Sequence, residues 1–595
     1  MRRVKKVISL LSVIVLSIGI LSGCKVNNYK NNADTNAPFS WDNATVYFAL
    51  TDRFLDGDSS NNHSYGRELD ENGKENPDYK NQPATFHGGD IVGITKKINE
   101  GYFDDLGVNA IWITSPFEQI HGFVGGDGFR HYAYHGYYAL DYTSIDANVG
   151  TREQFAEFVD TAHKHGIRVV LDVVLNHAGY VSLKDMDEYG VGKLKDNWKD
   201  YYYGDSKKAK FSDDEKYIDK SDAEAWEKWW GSEWVRASQK YAGYDGSTGG
   251  EDKKICLSGL PDFKTETTYD PGIPKVWKTK WAKEGRYEAE KNSLDKYFKE
   301  NSKNPTVANY LTKEISDWVR EYGIDGFRCD TAKHVEQDKW KELKIQCLKA
   351  LKEWKEANPD KKLDDSDFWM TGEVWGQQVG RNSYYDNGFD SLINFGFQAD
   401  ASNIKNIDST YESYARKINQ DSSFNALSYI SSHDTTIYDR NDLINGGTAL
   451  LLVPGEAQIF YGDETGRTIK YEDCSYKDQQ TRGDMNWESI NKEVLTHWQI
   501  LGRFRRAHLA IGDGEHKKIS DSPYEFSRIY NKNGITDKVV CVIGAENKTT
   551  IDISSVFEDG TKVRDAYTGN TATVKLGKVT FKAHKNGVIL IEENK

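Results

Sequence analysis

Eight short apolar segments, separated by stretches with helical periodicity, constrain the fold of this 595-residue chain more than any other feature. Continuous apolar runs of this length are typical of strands that are covered on both faces, as in parallel sheets. Strands that alternate with helices form α/β folds, and eight such units close into a (β/α)8 TIM barrel. The predicted strands occupy residues 45–50, 109–114, 168–174, 326–328, 368–371, 392–395, 427–430 and 457–460.

The uneven spacing of these strands predicts a division into domains. A long segment rich in Trp, Tyr, Lys and Asp separates the third strand from the fourth, and we expect it to form an inserted domain over the barrel mouth. Near the C-terminus, β-prone segments alternate with Gly, Asn and Asp turns, which predicts an antiparallel β-sandwich. The predicted parts are a barrel at 39–177 and 306–509, an insertion at 178–305 and a C-terminal β-domain at 510–595.

The N-terminal residues predict export and attachment to a membrane. A basic stretch, 1–6, precedes an apolar stretch, 7–21, that is shorter than a typical membrane span. The sequence that ends at Cys24 resembles a bacterial lipobox, so residues 1–23 would be a lipoprotein signal peptide and Cys24 would carry the lipid. Residues 24–38 would then be a flexible tether to the cell surface or to the periplasmic face of a membrane. An ordinary signal peptide or an uncleaved anchor is the alternative.

Composition narrows the classes of function. A net charge of −14 argues against nucleic acid or another polyanionic partner. The five cysteines other than Cys24 are scattered, and they match neither a disulfide framework nor a zinc site, although they allow one bridge. The sequence contains no zinc-protease motif and no phosphate-binding loop. The 35 Tyr and 16 Trp residues suit either a sugar-binding cleft or simply a large core.

Polar side chains occupy the ends of four predicted strands. They are Asp172 and His177 after the third strand, Arg328 and Asp330 after the fourth, Glu373 after the fifth, and His433 and Asp434 after the seventh. Because active sites of such barrels lie at the carboxyl ends of the strands, we expect these side chains to meet. Taken alone, the Arg328–Asp330 pair is best explained as structural. Polar side chains at the matching ends of four strands together indicate an active site.

Two carboxyl groups across a cleft can cleave a glycosidic bond, one as the nucleophile and the other as the acid that protonates the leaving oxygen. We expect Arg328 to keep Asp330 ionised, which suits a nucleophile. Glu373, with Trp375 beside it in a more apolar setting, suits the acid because desolvation raises the pKa of a carboxyl group. Asp434 would hold sugar hydroxyls and support the transition state.

These motifs make the chain similar to the α-amylase superfamily, glycoside hydrolase family 13, over residues 39–595. The segments that match are 172–177, 260–263, 326–334, Glu373 and 433–434. The resemblance implies the barrel, an inserted domain B and the C-terminal β-domain, with Asp330 as nucleophile, Glu373 as general acid/base and Asp434 as transition-state stabiliser. It is strongest to the periplasmic-type bacterial α-amylases, which implies a retaining, endo-acting hydrolase of α-1,4-glucans such as starch, glycogen and maltodextrins. We expect a monomer.

The resemblance also implies which side chains contact the substrate. Tyr137 would stack under the sugar at the cleavage point, next to Tyr138, which replaces a Trp that is common in the family. Lys333 and His334 would reach the leaving-group side. The other expected substrate-binding residues are His135, His177, Arg328 and His433.

Calcium is a further implication of the resemblance. Asn176, Asp262 and the main-chain oxygen of His334 match the family's site between the barrel and domain B, and calcium prefers such hard oxygen ligands. For Asn176 alone, a turn residue is the simpler explanation. A second candidate resembles the N-terminal calcium loop of cyclodextrin glycosyltransferases, with a solvated acidic turn as the alternative. Its residues are Asp56, Asp58, Asn61, Asn62, Gly88 and Asp90.

Two alternative functions stay open at this point. A cyclomaltodextrinase, an α-glucosidase or a glucanotransferase of the same superfamily would differ in its outer subsites, which lie in loops. A non-catalytic glucan-binding protein on the same scaffold belongs to another class, but it would not need all three carboxylates.

Overall fold

Eight parallel strands close into a barrel in the computed structural model of the chain, and they follow one another around the ring in sequence order. Each strand overlaps its predicted segment, which confirms the predicted barrel. The strands are β1 (Thr45–Ala49), β2 (Ala110–Ile113), β3 (Arg168–Val173), β4 (Gly326–Cys329), β5 (Trp369–Gly372), β6 (Ser391–Asn394), β7 (Asn425–Tyr429) and β8 (Glu456–Phe460).

The structure describes residues 37–210, 213–222, 227–237, 244–248 and 250–594. The predicted signal peptide and Cys24 lie outside these residues, as does most of the predicted tether. Among the helices described, none combines the length and the apolar composition that crossing a membrane requires.

Helices cover the outside of the barrel after seven of the eight strands. Between β5 and β6 the chain, which is described throughout this stretch, forms only a 3₁₀ turn, Tyr385–Asn387, where an eighth helix was expected. The helices that follow the other strands are Ile91–Asn99, Arg152–Lys164, Val307–Tyr322, Gln337–Ala357, Asp408–Gln420, Leu443–Leu451 and Lys492–Ala507. Shorter helices are Thr51–Phe54, Tyr102–Asp105, Phe397–Ala401, Lys477–Thr481 and Leu509–Asp513.

Local sequence explains where two of these helices begin and end. At the start of Arg152–Lys164, the Thr151 hydroxyl accepts a hydrogen bond from the Gln154 amide, and the Gln154 side chain accepts one from the Thr151 amide. This reciprocal pair is a capping box. Helix Val307–Tyr322 ends at Gly323, where φ is +73°. A Cβ at Gly323 would lie 2.4 Å from the Trp354 ring, so the helix end requires glycine.

The segment between β3 and β4 forms the predicted insertion. Its described helices are Leu183–Tyr189, Trp198–Tyr202, Lys275–Lys283 and Tyr287–Glu300, and Val235–Arg236 pairs antiparallel with Asp262–Phe263. That pair is joined to the chain leaving β3, because the Phe263 amide donates to the Asn176 carbonyl at 2.9 Å. The insertion is therefore hydrogen-bonded directly to the rim of the barrel.

The C-terminal part consists of antiparallel β-structure, as predicted. A six-stranded sheet contains Glu515–Asp521, Tyr524–Lys532, Ile535–Ile543, Lys562–Asp565, Thr571–Thr573 and Val588–Glu593. A two-stranded sheet pairs Lys548–Asp552 with Lys578–Lys582. Side chains that alternate along these strands, among them Val542, Ile551, Phe581 and Ile591, form a small apolar core of their own. The exact residues at which the domains divide stay a prediction.

The register between β3 and β4 sets the position of the polar strand ends. Arg328 on β4 lies directly opposite Asp172 on β3, and Thr371 on β5 lies on the other side of Arg328. Since alternate residues of a strand face the same way, Asp330 follows Arg328 toward the same rim. The fold therefore brings the ends of β3, β4 and β5 to one place.

Candidate active site

Arg328 is the centre of a buried group of carboxyl side chains at the carboxyl end of the barrel. Its Nη1 lies 2.9 Å from Asp172 Oδ1 and 2.8 Å from Asp330 Oδ1. Its Nη2 lies 3.2 Å from Glu373 Oε1. All four side chains are buried. One guanidinium therefore joins the ends of three strands, and the predicted nucleophile and predicted acid sit on its two terminal nitrogens.

The pKa of Asp330 is raised above its ordinary value. Burial is the largest cause, while Arg328 lowers the pKa and the charge of Asp434 raises it further. Arg328 thus acts in the direction that the sequence predicted, but burial outweighs it. Carboxyl groups that lie close together titrate as a unit. Whether Asp330 is ionised therefore depends on which of the carboxyl groups around Arg328 hold a proton.

Glu373 has a pKa raised to about 7, chiefly by burial, with Arg328 opposing the rise. Its Oε2 accepts a hydrogen bond from the Thr331 amide at 2.9 Å. Trp375, which was expected to provide an apolar setting, is 57% exposed and packs on Phe395 with ring centroids 5.1 Å apart. Trp375 nevertheless lines the same cleft as Glu373.

Asp434 behaves differently, because its pKa is lowered. Burial alone would raise the pKa, but His433 and Arg482 lower it by more. Arg482 Nη2 lies 2.8 Å from Oδ1, and His433 Nε2 lies 2.9 Å from Oδ2. Burial lowers the pKa of His433, so this ring is neutral at pH 7 and acts as a hydrogen-bond donor. With His433 neutral, the positive charges that keep Asp434 ionised are those of Arg482 and Arg328.

Tyr137 and His135 lie against this group, as the sequence predicted. The Tyr137 hydroxyl donates to Asp172 Oδ2 at 2.8 Å and lies 2.8 Å from His433 Nε2. The Tyr137 ring stacks on His433 with centroids 5.7 Å apart and on His135 with centroids 5.3 Å apart. His135 Nδ1 also accepts a hydrogen bond from the Tyr137 amide. The rings form one continuous wall beside the carboxyl groups.

The other predicted substrate-binding residues lie toward the insertion. His177 is buried, and within the described chain its Nε2 has no hydrogen-bond partner. Lys333 Nζ lies 3.1 Å from Asp252 Oδ2, and His334 Nδ1 lies 2.6 Å from the Asp252 carbonyl oxygen. Lys333 and His334 therefore contact the insertion in this structure.

Most of these side chains line a cleft of about 430 Å³, whereas Asp172, Arg328 and His433 are buried behind its surface. Several of the lining residues were not predicted from the sequence as site residues, namely His131, Leu257, Ser258, Thr331, Asp478 and Arg482. Asp478 and Arg482 form an ion pair at 3.1 Å with i,i+4 spacing on a short helix. That spacing, in a polar segment after the last barrel strand, is the signal that could have identified them. His131 and the Leu257–Ser258 turn carry no comparable signal.

The predicted calcium loop, residues 56–62 with Gly88 and Asp90, has buried oxygens that suit a cation. Within the described chain, the side-chain oxygens of Asn61 and Asn62 are buried and have no hydrogen-bond partner. A Cβ at Gly88 would lie 2.5 Å from Asn62 Oδ1 and 2.9 Å from Asp56 Oδ2, so the backbone closely approaches both. Buried oxygens without donors are what a hard cation satisfies. The residues present therefore fit calcium.

The two remaining acids of this loop hold its backbone. Asp90 accepts hydrogen bonds from the amides of Asp58 at 2.8 Å and Gly93 at 2.7 Å, and thereby caps helix Ile91–Asn99. Asp58 accepts one from the Ser60 amide at 3.1 Å. These bonds fix the shape of the loop around the unpartnered amide oxygens.

The other predicted calcium site is differently arranged. His177 and Asp262 form a β-bridge, so the structure does bring Asn176 and Asp262 together. However, Asp262 Oδ2 lies 2.8 Å from Arg236 Nη1, and both side chains are buried. A cation already contacts this carboxylate, so the side chains as arranged do not fit a calcium ion. In the part of the chain that is described, His, Cys, Asp and Glu side chains do not by themselves form a metal-binding group of three.

A parallel barrel whose rim carries a cleft with paired carboxyl groups has the architecture of a glycoside hydrolase. The model of the alpha-amylase catalytic domain matches residues 48–245 and 274–497. The periplasmic alpha-amylase of Escherichia coli strain K12 is 44% identical over 503 residues, which cover 81% of this chain and 69% of that protein. The cyclomaltodextrin glucanotransferase of Paenibacillus macerans is 24% identical over 545 residues, which cover 89% of this chain and 64% of that protein.

Solved structures show the same fold. An Anoxybacillus alpha-amylase superposes with a TM-score of 0.59 at 21% identity, covering 94% of this chain and 99% of its own. CldA, a cyclomaltodextrin glucanotransferase with a three-domain ABC distribution, gives a TM-score of 0.60 at 21% identity, covering 93% and 99% of the two chains. The chain therefore belongs to the alpha-amylase family and is a glycoside hydrolase.

If Glu373 is the acid that the sequence predicts, kcat/KM should fall as the pH rises through about 7, because the proton for the leaving oxygen would come from this group and its pKa is about 7. Below this pH Glu373 stays protonated, and the rate persists until Asp330 also becomes protonated. Initial rates on a soluble maltodextrin, measured across the pH range under conditions of low substrate, test this. Circular dichroism at each pH serves as the control for folding. A rate that stays constant well above pH 7 would contradict the assignment of Glu373.

Proposed function

We propose that the protein is an endo-acting α-amylase that hydrolyses α-1,4-glucosidic bonds of starch, glycogen and maltodextrins with retention, as a monomer. The observation that carries this proposal is the arrangement of Asp330 and Glu373 on adjacent nitrogens of Arg328. Retaining enzymes need their two carboxyl groups close together, at about 5–5.5 Å, and a shared guanidinium favours such closeness. The relative from Escherichia coli, a periplasmic alpha-amylase, supports the same substrate class.

The proposed reaction has two steps. In the first, an Asp330 oxygen forms a bond to the anomeric carbon while the bond to the leaving oxygen breaks and Glu373 gives its proton to that oxygen. In the second, Glu373 takes a proton from water, and the water oxygen displaces Asp330 from the anomeric carbon. Asp434, which Arg482 keeps ionised, stabilises the positive charge that develops on the sugar ring. Water is consumed, and both carboxyl groups return to their starting states.

The proposed contacts with the sugar come from two places. One is the wall of aromatic rings beside the carboxyl groups, and the other is the side of the cleft that faces the insertion. Tyr137 offers its face to the sugar at the cleavage point, with His135 and His433 beside it. His177 presents a ring nitrogen that, within the described chain, has no protein partner. Lys333 and His334 would contact the leaving-group side through the region where they meet Asp252.

Amylose digestion should yield malto-oligosaccharides of several lengths at early times, with the products released as the α-anomer. An endo-acting, retaining enzyme produces this mixture because it cuts inside the chain and inverts the anomeric carbon twice. Product lengths are followed by chromatography and the anomer by NMR during the first minutes. Chiefly maltose from a cyclodextrin with little activity on starch would instead support a cyclomaltodextrinase, and cyclic products would support a glucanotransferase.

The matched control for this experiment is Asp330→Asn. This variant should lose hydrolysis by several orders of magnitude, since an amide is a poor nucleophile, while its affinity for amylose stays near that of the wild type. An Asp330→Asn protein that hydrolyses amylose at near wild-type rate would refute the nucleophile. Loss of both binding and activity with an unchanged circular dichroism spectrum would indicate that Asp330 serves substrate binding instead.

We also propose that one calcium ion binds the loop of Asp56, Asp58, Asn61, Asn62, Gly88 and Asp90. The unpartnered side-chain oxygens of Asn61 and Asn62 support this site. Bound calcium would satisfy these oxygens and hold the loop against the start of helix Ile91–Asn99. Its role would be structural, because the groups proposed for catalysis follow β4, β5 and β7.

Chelation should lower the melting temperature of the wild type, because an ion that binds only the folded state stabilises it. Asn62→Ala should lower the melting temperature without chelator and abolish the further effect of EDTA. Asn72→Ala, an exposed residue of a neighbouring turn, is the matched control and should behave like the wild type. Thermal unfolding followed by circular dichroism measures all three. If EDTA shifts the Asn62→Ala protein as much as the wild type, calcium binds elsewhere.

We propose finally that the protein is exported and anchored through a lipid on Cys24. The name of the relative from Escherichia coli, a periplasmic protein, supports export. Cys24→Ser should move the protein from the membrane fraction to the soluble fraction, and mass spectrometry of the mature N-terminal peptide should show the added acyl chains only in the wild type. An unmodified wild-type peptide would contradict the anchor without affecting the proposed enzymatic role.

A further inference from the structure

Arg236 lies at the junction between the barrel and the insertion. It is on the short strand Val235–Arg236, and strand register places it directly opposite Asp262. Its Nη1 donates to Asp262 Oδ2 at 2.8 Å, and its Nη2 donates to Glu266 Oε1. The Arg236 side chain is 7% exposed and that of Asp262 is 1% exposed. The guanidinium therefore bridges two carboxylates inside the protein.

The surroundings of Arg236 are acidic. Burial raises the pKa of Asp262 to about 7, and the charges of Glu266 and Glu336 raise it as well, while Arg236 lowers it. Glu336 is held nearby, since its Oε2 accepts a hydrogen bond from the Thr265 hydroxyl at 2.7 Å. Three acids at such a junction require a positive charge. Arg236 is the positive group that contacts two of them.

The Arg236–Asp262 ion pair lies next to a residue that lines the cleft. Asp262 forms a β-bridge with His177, and the Phe263 amide donates to the Asn176 carbonyl. Asn176 and His177 belong to the chain that leaves β3, and His177 lines the cleft. The carboxylate that Arg236 neutralises therefore lies on the insertion strand that is hydrogen-bonded to the cleft wall.

We infer that Arg236 provides at this junction the positive charge that a calcium ion would otherwise provide, so that Asp262 is neutralised without a metal where the insertion meets the barrel. An arginine suits this role because its planar fork can bind two carboxylates at once and it stays charged at any pH that the protein tolerates. A calcium ion beside Asp262 would meet this fixed positive charge and would have to displace it. We therefore expect the wild type to bind calcium at the proposed loop of residues 56–90 and not at this junction.

Calcium stoichiometry tests this inference separately from activity. After dialysis against micromolar calcium, the bound metal is measured per chain by atomic absorption in the full-length wild type and in Asn62→Ala. We expect one calcium ion in the wild type and none in Asn62→Ala. Two ions in the wild type, or one that persists in Asn62→Ala, would overturn the inference. A wild type without calcium would refute the loop site but would agree with a junction that needs no metal.

Substitution of Arg236 provides the second measurement. In the Asn62→Ala background, Arg236→Gln should lower the melting temperature, and added calcium should restore part of it, because the freed carboxylates can then take a metal. Arg236→Lys keeps the charge but not the fork, so it should lose part of the melting temperature and, because a positive charge remains, should not respond to calcium. If calcium leaves Arg236→Gln as unstable as before, or if Arg236→Gln melts at the parental temperature, the guanidinium does not replace a cation. Should Arg236→Gln fail to fold, the calcium stoichiometry still decides.

Discussion

The cleft of this protein depends on one buried guanidinium, that of Arg328. The register of β3 and β4 places it opposite Asp172, and from there it reaches Asp330 and Glu373. Buried carboxylates are tolerated only when a partner compensates their charge, and removal of one partner from a buried pair costs about 3–5 kcal/mol. The same contacts that make the strand ends stable therefore fix the distance and orientation of the two groups proposed to react.

Charge balance in the cleft decides which carboxyl group can deliver a proton. Asp172, Asp330, Glu373 and Asp434 outnumber the two guanidinium groups that contact them, so not all four ionise easily in a buried setting. Asp172 and Glu373 both have a pKa raised to about 7. Asp172 is fully buried beneath Tyr137, whereas Glu373 lines the cleft. Of the two protons held near neutral pH, only that of Glu373 can therefore reach a bound sugar.

Much of the fold and most of the site could be predicted from the sequence, for reasons of geometry. Parallel strands of a barrel all end at one rim, so polar residues after strands that are far apart in sequence, such as Asp330 and Asp434, had to meet. The pKa of Asp330 could not be predicted, because the effect of its neighbour Arg328 is local but burial is a tertiary property. The surroundings of Glu373 could not be predicted for the same reason, since adjacency in sequence does not determine which side chains bury it.

Arg236 illustrates a different limit. It lies in the insertion, and its partner Asp262 is distant in sequence. Neither the residue types nor their spacing predicts that the two side chains pair. A motif can identify Asp262 as a possible metal ligand, yet only the pairing of Val235–Arg236 with Asp262–Phe263 shows that a cation is already there. Predictions of metal sites from ligand motifs are therefore incomplete without the positive groups that compete for the same oxygens.

The guanidinium of an arginine and a bound metal ion stabilise a site in different ways. Stabilisation by a bound ion grows with its free concentration, because it equals RT ln(1 + [L]/Kd) for a single site. Stabilisation by Arg236 does not depend on the concentration of free calcium, since the guanidinium is part of the chain. The junction that borders His177 and the cleft thus keeps its charge when calcium is scarce, whereas the loop of residues 56–90 would not. For the exported enzyme proposed above, a fixed charge at this junction would not require calcium from the medium.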